Sequence, residues 1–414
     1  MDEFPYIFTF YSYKGGVGRS MALLNTAYAL AGWGKHVLIV DLDLEAPGVS
    51  SFLTRHRELA EQETEPTLDV LTLLQEIVDG AREGRSAEQI SQNLPPLDHY
   101  RRSVDPGRLE PLAPRIGSLG RLDVLAADMD RDWCGRLANL RLQELPQDQL
   151  IVASSAMHFY LKGHRVPSRA IGSVESDPPQ PTPYDYILVD SRTGITEIGG
   201  LCVGPLADRL VVLSSLNDQN IEGTRAFLEL AGIAPTPRSP EDEPSDAADR
   251  PGDSELPTLG PKPTMLVASP VPSGEIAFKR CRLEELEKRI GIRPSRLSYH
   301  PQMALFESVF VRDYQEEYLA REYLELASLM TRHVADHPSQ LAAEAARMNE
   351  QKKPFDALHS VFRMAAQAPD LAESLLISIA NLLSPKTDAE RELASRTLGV
   401  LSEIPSHRGV ALNN

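Results

Sequence analysis

The sequence predicts an α/β fold, with a doubly wound, mostly parallel β-sheet and a C-terminal α-helical extension. The first observation is that the first fifty residues read as strand, glycine-rich loop, helix and strand. Residues 6–11 are rich in β-formers, residues 19–31 have helical periodicity, and residues 37–40 form an uninterrupted apolar run. The second is that further apolar runs alternate with helical stretches, which is typical of parallel sheets with right-handed crossovers. The third is that the pattern is only helical from residue 313 onward.

The later elements follow the same rhythm, apart from two long segments. Strands are predicted at residues 122–126, 186–189, 210–213 and 265–267, and helices at residues 67–81, 220–231 and 275–290. Residues 52–183 are more chain than one crossover needs, and we interpret them as an insertion that caps the core, with a turn-rich stretch at 95–120. Residues 235–263 are dense in Pro, Asp, Glu and Ser, which predicts a disordered surface loop.

The chain is predicted to contain two domains. Residues 1–335 hold the alternating strands and helices. Residues 336–414 hold periodic apolar faces at 341–348, 357–366 and 371–383, which prolines separate from one another. We expect this second part to be a small α-helical module.

Composition excludes several classes of protein. With 59 acidic and 42 basic residues among 414, the net charge of −17 disfavours a nucleic-acid partner. No apolar run approaches the roughly 20 residues of a membrane span, and the acidic N-terminus lacks the pattern of a secretory leader. The three cysteines are too dispersed for a disulfide framework or a paired-cysteine metal site. We therefore expect a cytoplasmic protein.

The strongest chemical signal is the glycine-rich loop between the first strand and the first helix, Lys14-Gly15-Gly16-Val17-Gly18-Arg19-Ser20. Free backbone N–H groups and the helix dipole make such a loop an anion site, and glycines let the backbone approach phosphate oxygens closely. Ser20 stands where a hydroxyl binds Mg²⁺ in a P-loop, directly after the basic residue that contacts the phosphates, here Arg19. The loop predicts phosphate binding.

Acidic residues stand at the ends of two other predicted strands. Asp41 and Asp43 follow the second strand, two positions apart and so on one face if the strand continues that far, and Asp190 ends the strand at 186–189. The carboxyl ends of parallel strands meet at one edge of the sheet, where such folds bind ligands. Carboxylates beside a phosphate site need a cation between them, and Mg²⁺ meets that need. The combination predicts a site for a magnesium nucleotide.

These motifs resemble those of the deviant Walker A P-loop ATPases of the MinD/ParA group, and in particular their KGGVGR-variant branch. The resemblance rests on Lys14 to Ser20, on Asn25, on the run from Gly34 to Asp43 with the Ala46-Pro47-Gly48 that follows, and on the run from Tyr184 to Asp190. It covers roughly residues 5–335. It implies ATP bound by Gly15, Gly16, Val17, Gly18, Arg19, Ser20 and Met21, and Mg²⁺ held by Ser20 and Asp190 with support from Asp41.

The resemblance also implies roles in catalysis. Lys14 would reach the phosphates of a partner subunit's ATP in a nucleotide-sandwich homodimer, Asp43 would orient the attacking water, and Arg19 would contact the phosphates. The sequence departs from the pattern at several positions, among them the following three. Arg19 replaces the usual lysine, which predicts slow hydrolysis. Tyr13 replaces a glycine, and Arg192 either senses the γ-phosphate or pairs with a local carboxylate.

The function that the resemblance implies is an ATP-driven switch that regulates or positions a protein partner, in a bacterial regulatory or defence system. The C-terminal helices would dock that partner. Two alternatives stay open at this point. One is an ATP-dependent biosynthetic enzyme of the dethiobiotin synthetase or cobyrinate amidation type, which needs a substrate pocket near Asp43 built by residues 52–183. The other is a nucleotide-binding scaffold with little turnover, which Arg19 favours.

Overall fold

A computed structural model describes residues 4–60, 68–109, 120–163, 165–168, 180–232, 262–274 and 276–403. Its strands are β1 Tyr6–Ser12, β2 His36–Asp41, β3 Arg101–Ser103, β4 Arg121–Leu125, β5 Arg165–Ser168, β6 Gln180–Pro183, β7 Tyr186–Asp190, β8 Arg209–Ser214, β9 Thr264–Val271 and β10 Ser295–Ser298. The disordered loop predicted at 235–263 falls almost entirely outside the described residues.

Eight of these strands form the central sheet, in the order β10-β9-β8-β1-β7-β2-β4-β3. All neighbouring pairs run parallel except β3 and β4, and β5 pairs with β6 in a separate antiparallel ribbon. The predicted doubly wound, mostly parallel sheet is confirmed. Strands β3 and β10 were not predicted. Both lie at an edge and both are short and polar, and neither has the apolar run that marks the central strands.

The helices lie between and after the strands. They are α1 Arg19–Gly32, α2 Gly48–Arg55, α3 Val70–Arg82, α4 Ala87–Asn93, α5 Trp133–Asn139, α6 Gln147–Gly163, α7 Glu197–Val203, α8 Asp218–Leu230, α9 Ile276–Ile290, α10 Phe310–Asp313, α11 Tyr318–His333, α12 Pro338–Glu350, α13 Pro354–Met364, α14 Pro369–Ala380 and α15 Asp388–Glu403. Short 3₁₀ turns lie at Leu97–His99, Pro106–Arg108, Leu142–Glu144 and Pro301–Ala304.

The sheet is buried on both faces, and successive side chains of each strand point to opposite faces. In β1, Phe8 and Phe10 pack into the cluster that contains α1 and α11, whereas Ile7 packs with α3 and α6 on the other face. Continuous apolar strands are what such two-sided burial requires. Within residues 52–183, helices α3 to α6 pack on this second face. The interpretation of that segment as an insertion stays a prediction.

The C-terminal helices α12 to α15 pack around an apolar cluster of their own, which includes Leu341, Val361, Leu376 and Leu401. Helices α12, α13 and α14 each begin with a proline, where the fixed φ suits the first turn and the missing N–H is not needed. The predicted helical extension is therefore present. The division at residue 336 stays a prediction.

A buried charge network joins these helices to the sheet. Asp336 accepts hydrogen bonds from Lys35 Nζ at 3.0 Å, from Arg363 Nε at 2.5 Å and from the Tyr186 hydroxyl at 2.6 Å. Lys35 and Asp336 are both fully buried. The first residue of β7 and the residue before β2 are thus tied to α13.

Among the described residues, no helix is long and apolar enough to cross a bilayer.

Candidate functional site

The glycine-rich loop connects β1 to α1 at the carboxyl edge of the sheet. Gly16 and Gly18 have φ angles of 79° and 77°, in the left-handed region where a side chain causes strain. Gly18 is the N-cap of α1. Because glycine has no side chain, the N–H groups in the first turn of α1 donate no hydrogen bond to an N-cap side chain. The loop therefore leaves backbone N–H groups at the start of α1 that are available to an anion.

Neighbouring elements hold this loop from outside. The Ser269 hydroxyl at the end of β9 donates a 2.7 Å hydrogen bond to the Val17 carbonyl. The Tyr13 ring lies against Gly223 of α8 so closely that a Cβ at residue 223 would come within 2.1 Å of the ring. Within the described residues, Lys14 makes no ion pair or hydrogen bond, and its side chain is half-buried.

Asp41 and Asp190 lie side by side at the ends of β2 and β7, as the register of these strands requires. Both are fully buried. One oxygen of Asp41 accepts hydrogen bonds from the Ser50 N–H at 2.8 Å and the Ser50 hydroxyl at 2.7 Å. Burial, and then the negative charge of Asp190, raise the pKa of Asp41 to about 7. Strand β2 ends at Asp41, so Asp43 lies beyond it and does not share a strand face with Asp41.

Arg19 is buried between two of the acids. Its Nε donates to Asp190 Oδ1 and its Nη2 donates to Asp43 Oδ2, each at 2.6 Å. Burial works to lower the pKa of Arg19, but the carboxylates of Asp190 and Asp43 outweigh it and raise that pKa. Burial also raises the pKa of Asp43, against the opposing effect of Arg19. The planar guanidinium spans both acids, which a lysine ammonium cannot do in the same way.

A cleft of about 460 Å³ opens above the loop. Its lining comes from the loop after β1, the segment after β2 and the segment after β7, and includes Gly15 to Met21 and Asp43. Arg192 also lines it, and its guanidinium lies 2.6 Å from the Glu45 carboxylate. Of the two interpretations of Arg192, pairing with a local carboxylate is the contact that the structure contains.

Oxygen atoms beside the glycine-rich loop could hold a cation. Among the described residues, no group of three His, Cys, Asp or Glu side chains is arranged to bind a metal. However, Asp41 Oδ1 and Asp190 Oδ2 are buried and accept no hydrogen bond within this part of the chain. The Ser20 hydroxyl lies against the start of α2, where a Cβ on Gly48 would come within 3.1 Å of it. Carboxylate and hydroxyl oxygens of this kind fit Mg²⁺, which keeps several waters in protein sites.

Sequence reasoning missed three residues of the site. Ser50 binds Asp41, Glu45 binds Arg192, and Ser269 binds the loop. Each acts through contacts between segments that are separate in the fold. A lone serine or glutamate has no spacing pattern that would predict such a role.

No protein-family model matches the chain, and no curated protein matches it. Solved structures are similar over most of their length. One is the MinD cell division protein of Aquifex aeolicus, with 16% identity, a TM-score of 0.45, and coverage of 79% of this chain and 97% of that one. Another is a ParA family ATPase from Chlorobium tepidum, with 17% identity, a TM-score of 0.44, and coverage of 78% and 98%.

A third similar structure is the septum site-determining protein MinD of Pyrococcus horikoshii, described as a complex with Mg-ADP. It has 12% identity, a TM-score of 0.48, and coverage of 80% of this chain and 97% of that one. The fold itself is established by the sheet order and register of this chain. The chain is an α/β protein with a mostly parallel sheet, and the solved structures similar to it include MinD and ParA ATPases.

Proposed function

We propose that this protein is a molecular switch that binds and hydrolyses Mg-ATP, of the MinD/ParA type. The observation that supports this best is the juxtaposition of the left-handed glycine loop with three acids at the carboxyl edge of the sheet. The loop offers N–H donors for phosphate, and the acids offer oxygen ligands for the cation that would accompany it. The choice of adenine rests on the family resemblance.

In this proposal Ser20 and Asp190 hold Mg²⁺, with Asp41 close to them. Bound Mg²⁺ neutralises phosphate charge and orients the phosphates. The loop residues Gly15 to Met21 bind the triphosphate, and Arg19 exchanges at least one carboxylate for a phosphate oxygen. Asp43 then accepts a hydrogen bond from the attacking water. Lys14 is half-buried at the start of the loop. In an ATP-dependent homodimer its ammonium group binds a phosphate of the ATP in the other subunit.

The contact between Arg19 and Asp43 also supports the second candidate, a nucleotide-binding scaffold with little turnover. The 2.6 Å hydrogen bond from Arg19 occupies Asp43 Oδ2 and restrains the carboxylate that would orient the attacking water. Such charge-assisted bonds in buried sites are among the stronger ones in proteins. We expect hydrolysis to be slow without a partner. The biosynthetic alternative has less support, since none of the described residues between 52 and 183 lines the cleft near Asp43.

We further propose that the C-terminal helices α12 to α15 dock the regulated protein. They have an apolar cluster of their own, which makes them a packing unit beside the sheet. A role in a bacterial regulatory or defence system rests on the resemblance alone.

Calorimetry with Mg-ATP tests the nucleotide site. We expect wild type to bind ATP with MgCl₂, and Asp190→Asn to bind about tenfold more weakly or worse, because one ligand charge is lost. Asp388→Asn is the matched control, since Asp388 is exposed on α15. No heat from wild type with any purine triphosphate would remove the proposal.

Light scattering tests the homodimer. We expect the mass of wild type to double with Mg-ATP, and Lys14→Ala to remain a monomer while it still binds ATP. Lys288→Ala, an exposed lysine on α9, is the control and should dimerise. Asp43→Ala should accumulate the ATP-bound dimer. If wild type stays monomeric with saturating Mg-ATP, the sandwich dimer is wrong even though the nucleotide site stands.

A further inference from the structure

A second cavity lies at the opposite end of the sheet from the phosphate loop. It has a volume of about 530 Å³, and its walls come from the turn between α1 and β2 and from helices α12, α13 and α15. That turn enters β2 at its amino end, whereas the loop before α1 leaves β1 at its carboxyl end. A six-residue strand such as β2 spans roughly 20 Å, so this cavity is separate from the nucleotide cleft.

Much of the wall is apolar and aromatic. Trp33 contributes from the turn, Phe355 and Phe362 from α13, Leu341 from α12 and Leu393 from α15. Aromatic side chains in a concave site provide a large contact area for a flat or apolar body. The volume is within the range of small-molecule sites, which are commonly about 300–1,000 Å³.

The acidic groups in the wall already have donors. Asp185 accepts from Arg363 Nη2 at 3.0 Å and from the His36 N–H at 2.8 Å. Glu344 accepts from the Ser360 hydroxyl at 3.2 Å. Glu390 accepts from backbone N–H groups that precede α15, at 2.6 and 2.9 Å. Each of these carboxylates therefore accepts at least one hydrogen bond from the protein itself.

The basic groups in the wall differ from one another. Lys35 and Arg363 are both paired with Asp336. Arg396 of α15 is half-buried, and its guanidinium carbon lies 4.3 Å from the centroid of the Phe362 ring. Within the described residues it has neither a carboxylate partner nor a hydrogen bond. Burial lowers the pKa of Arg396, and no acid among the described residues opposes that effect.

We propose that this cavity binds a small organic anion with an aromatic or apolar body. The carboxylate or phosphate of that anion pairs with the guanidinium of Arg396, and its body packs against Trp33, Phe355 and Phe362. A guanidinium whose face lies on an aromatic ring keeps its N–H edge for a planar or tetrahedral oxyanion, which it can bind with two hydrogen bonds. The ligand would supply the negative charge that the wall lacks beside Arg396.

Such a ligand would contact both packing units of the chain. Trp33 belongs to the turn that leads into the sheet, whereas Phe362 and Arg396 belong to the C-terminal helices. Binding would therefore strengthen the attachment of these helices to the sheet and raise the temperature of unfolding. This inference does not depend on nucleotide binding, because the two sites share no residue.

Titration calorimetry of the full chain, without nucleotide, tests the proposal with four probes. Phenyl phosphate and phenylacetate carry an aromatic body with a phosphate or a carboxylate. Benzyl alcohol has the body without the charge, and inorganic phosphate has the charge without the body. We expect one of the two aromatic anions to bind, benzyl alcohol and inorganic phosphate to bind at least about tenfold more weakly, and the better anion to identify the headgroup.

Arg396→Met keeps the apolar stem and removes the charge, and we expect it to weaken the better anion about tenfold or more. Phe355→Ala should also weaken it, because the body loses one wall. Arg391→Met is the control, since Arg391 is exposed on the same helix and should leave binding unchanged. Circular dichroism checks that each variant is folded. The proposal is overturned if neither aromatic anion binds wild type, or if Arg396→Met binds it as tightly as wild type does.

Discussion

The replacement Asp336→Asn tests the buried charge network that joins the C-terminal helices to the sheet. The carboxylate of Asp336 is completely buried and contacts the cations of Lys35 and Arg363 as well as the Tyr186 hydroxyl. Asparagine keeps the size and one acceptor but removes the charge. Lys35, which is 2% exposed, then loses its closest anion.

The expected loss of stability follows from that uncompensated charge. Removing one partner of a buried ion pair costs about 3–5 kcal/mol, whereas removing one partner of an exposed pair costs about 1 kcal/mol or less. Burial already lowers the pKa of Lys35, and without Asp336 it should fall further. Because a neutral Lys35 carries no such penalty, the loss caused by Asp336→Asn should be smaller at pH 9 than at pH 6.

Urea unfolding followed by circular dichroism, at constant m-value, measures this loss. The control is Asp388→Asn, whose carboxylate is 96% exposed in a pair with Arg391. In the double variant Lys35→Met/Asp336→Asn the buried cation is gone, so the total loss should be well below the sum of the two single losses. If Asp336→Asn matches the control, or if the single losses simply add, the network does not stabilise the protein as we describe.

Three further predictions concern the cleft. Since the pKa of Asp41 is raised to about 7, the free protein should lose up to about 4 kcal/mol of stability as pH rises from about 4 to 7. Asp41→Asn can keep its contacts with Ser50 and should flatten the plot of urea midpoint against pH. If the plots of the variant and wild type are parallel, Asp41 does not cause this pH dependence. Arg19→Lys should release Asp43 and raise ATP turnover in a phosphate-release assay about tenfold; an unchanged or lower rate would show that the contact does not limit hydrolysis. Gly18→Ala should strain the loop by about 1 kcal/mol or more at its φ of 77° and weaken Mg-ATP in calorimetry, and wild-type affinity would contradict the loop's role.

The parts of the fold that the sequence predicted are those with local patterns. The buried strands were visible as apolar runs, and the loop from Lys14 to Ser20 was visible as a run of glycines between a strand and a helix. Asp190 could be placed near the glycine-rich loop because parallel strands end at one edge. These features depend only on neighbours in the chain and on the general geometry of parallel sheets.

The remaining features depend on contacts between distant segments. Strand β3 is only three residues long and polar, and it exists because β4 offers a free edge. The sequence placed Arg19 at the phosphates, but it could not indicate that the guanidinium spans Asp43 and Asp190, since that contact requires the tertiary position of β7. The roles of Ser50 and Glu45 were missed for the same reason.

The packing of Tyr13 on Gly223 has a consequence for how far α8 is free to vary. Because the Tyr13 ring occupies the space beside Gly223, any side chain at position 223 would have to displace either the helix or the tyrosine. Tyr13 directly precedes Lys14, so such a displacement would reach the phosphate loop. Enlarging residue 223 should therefore disturb phosphate binding from a helix that contributes no residue to the cleft, and shortening Tyr13 to alanine should restore tolerance there. The sizes of the side chains at positions 13 and 223 are therefore coupled, and the residue at one position limits which residues the other can accept.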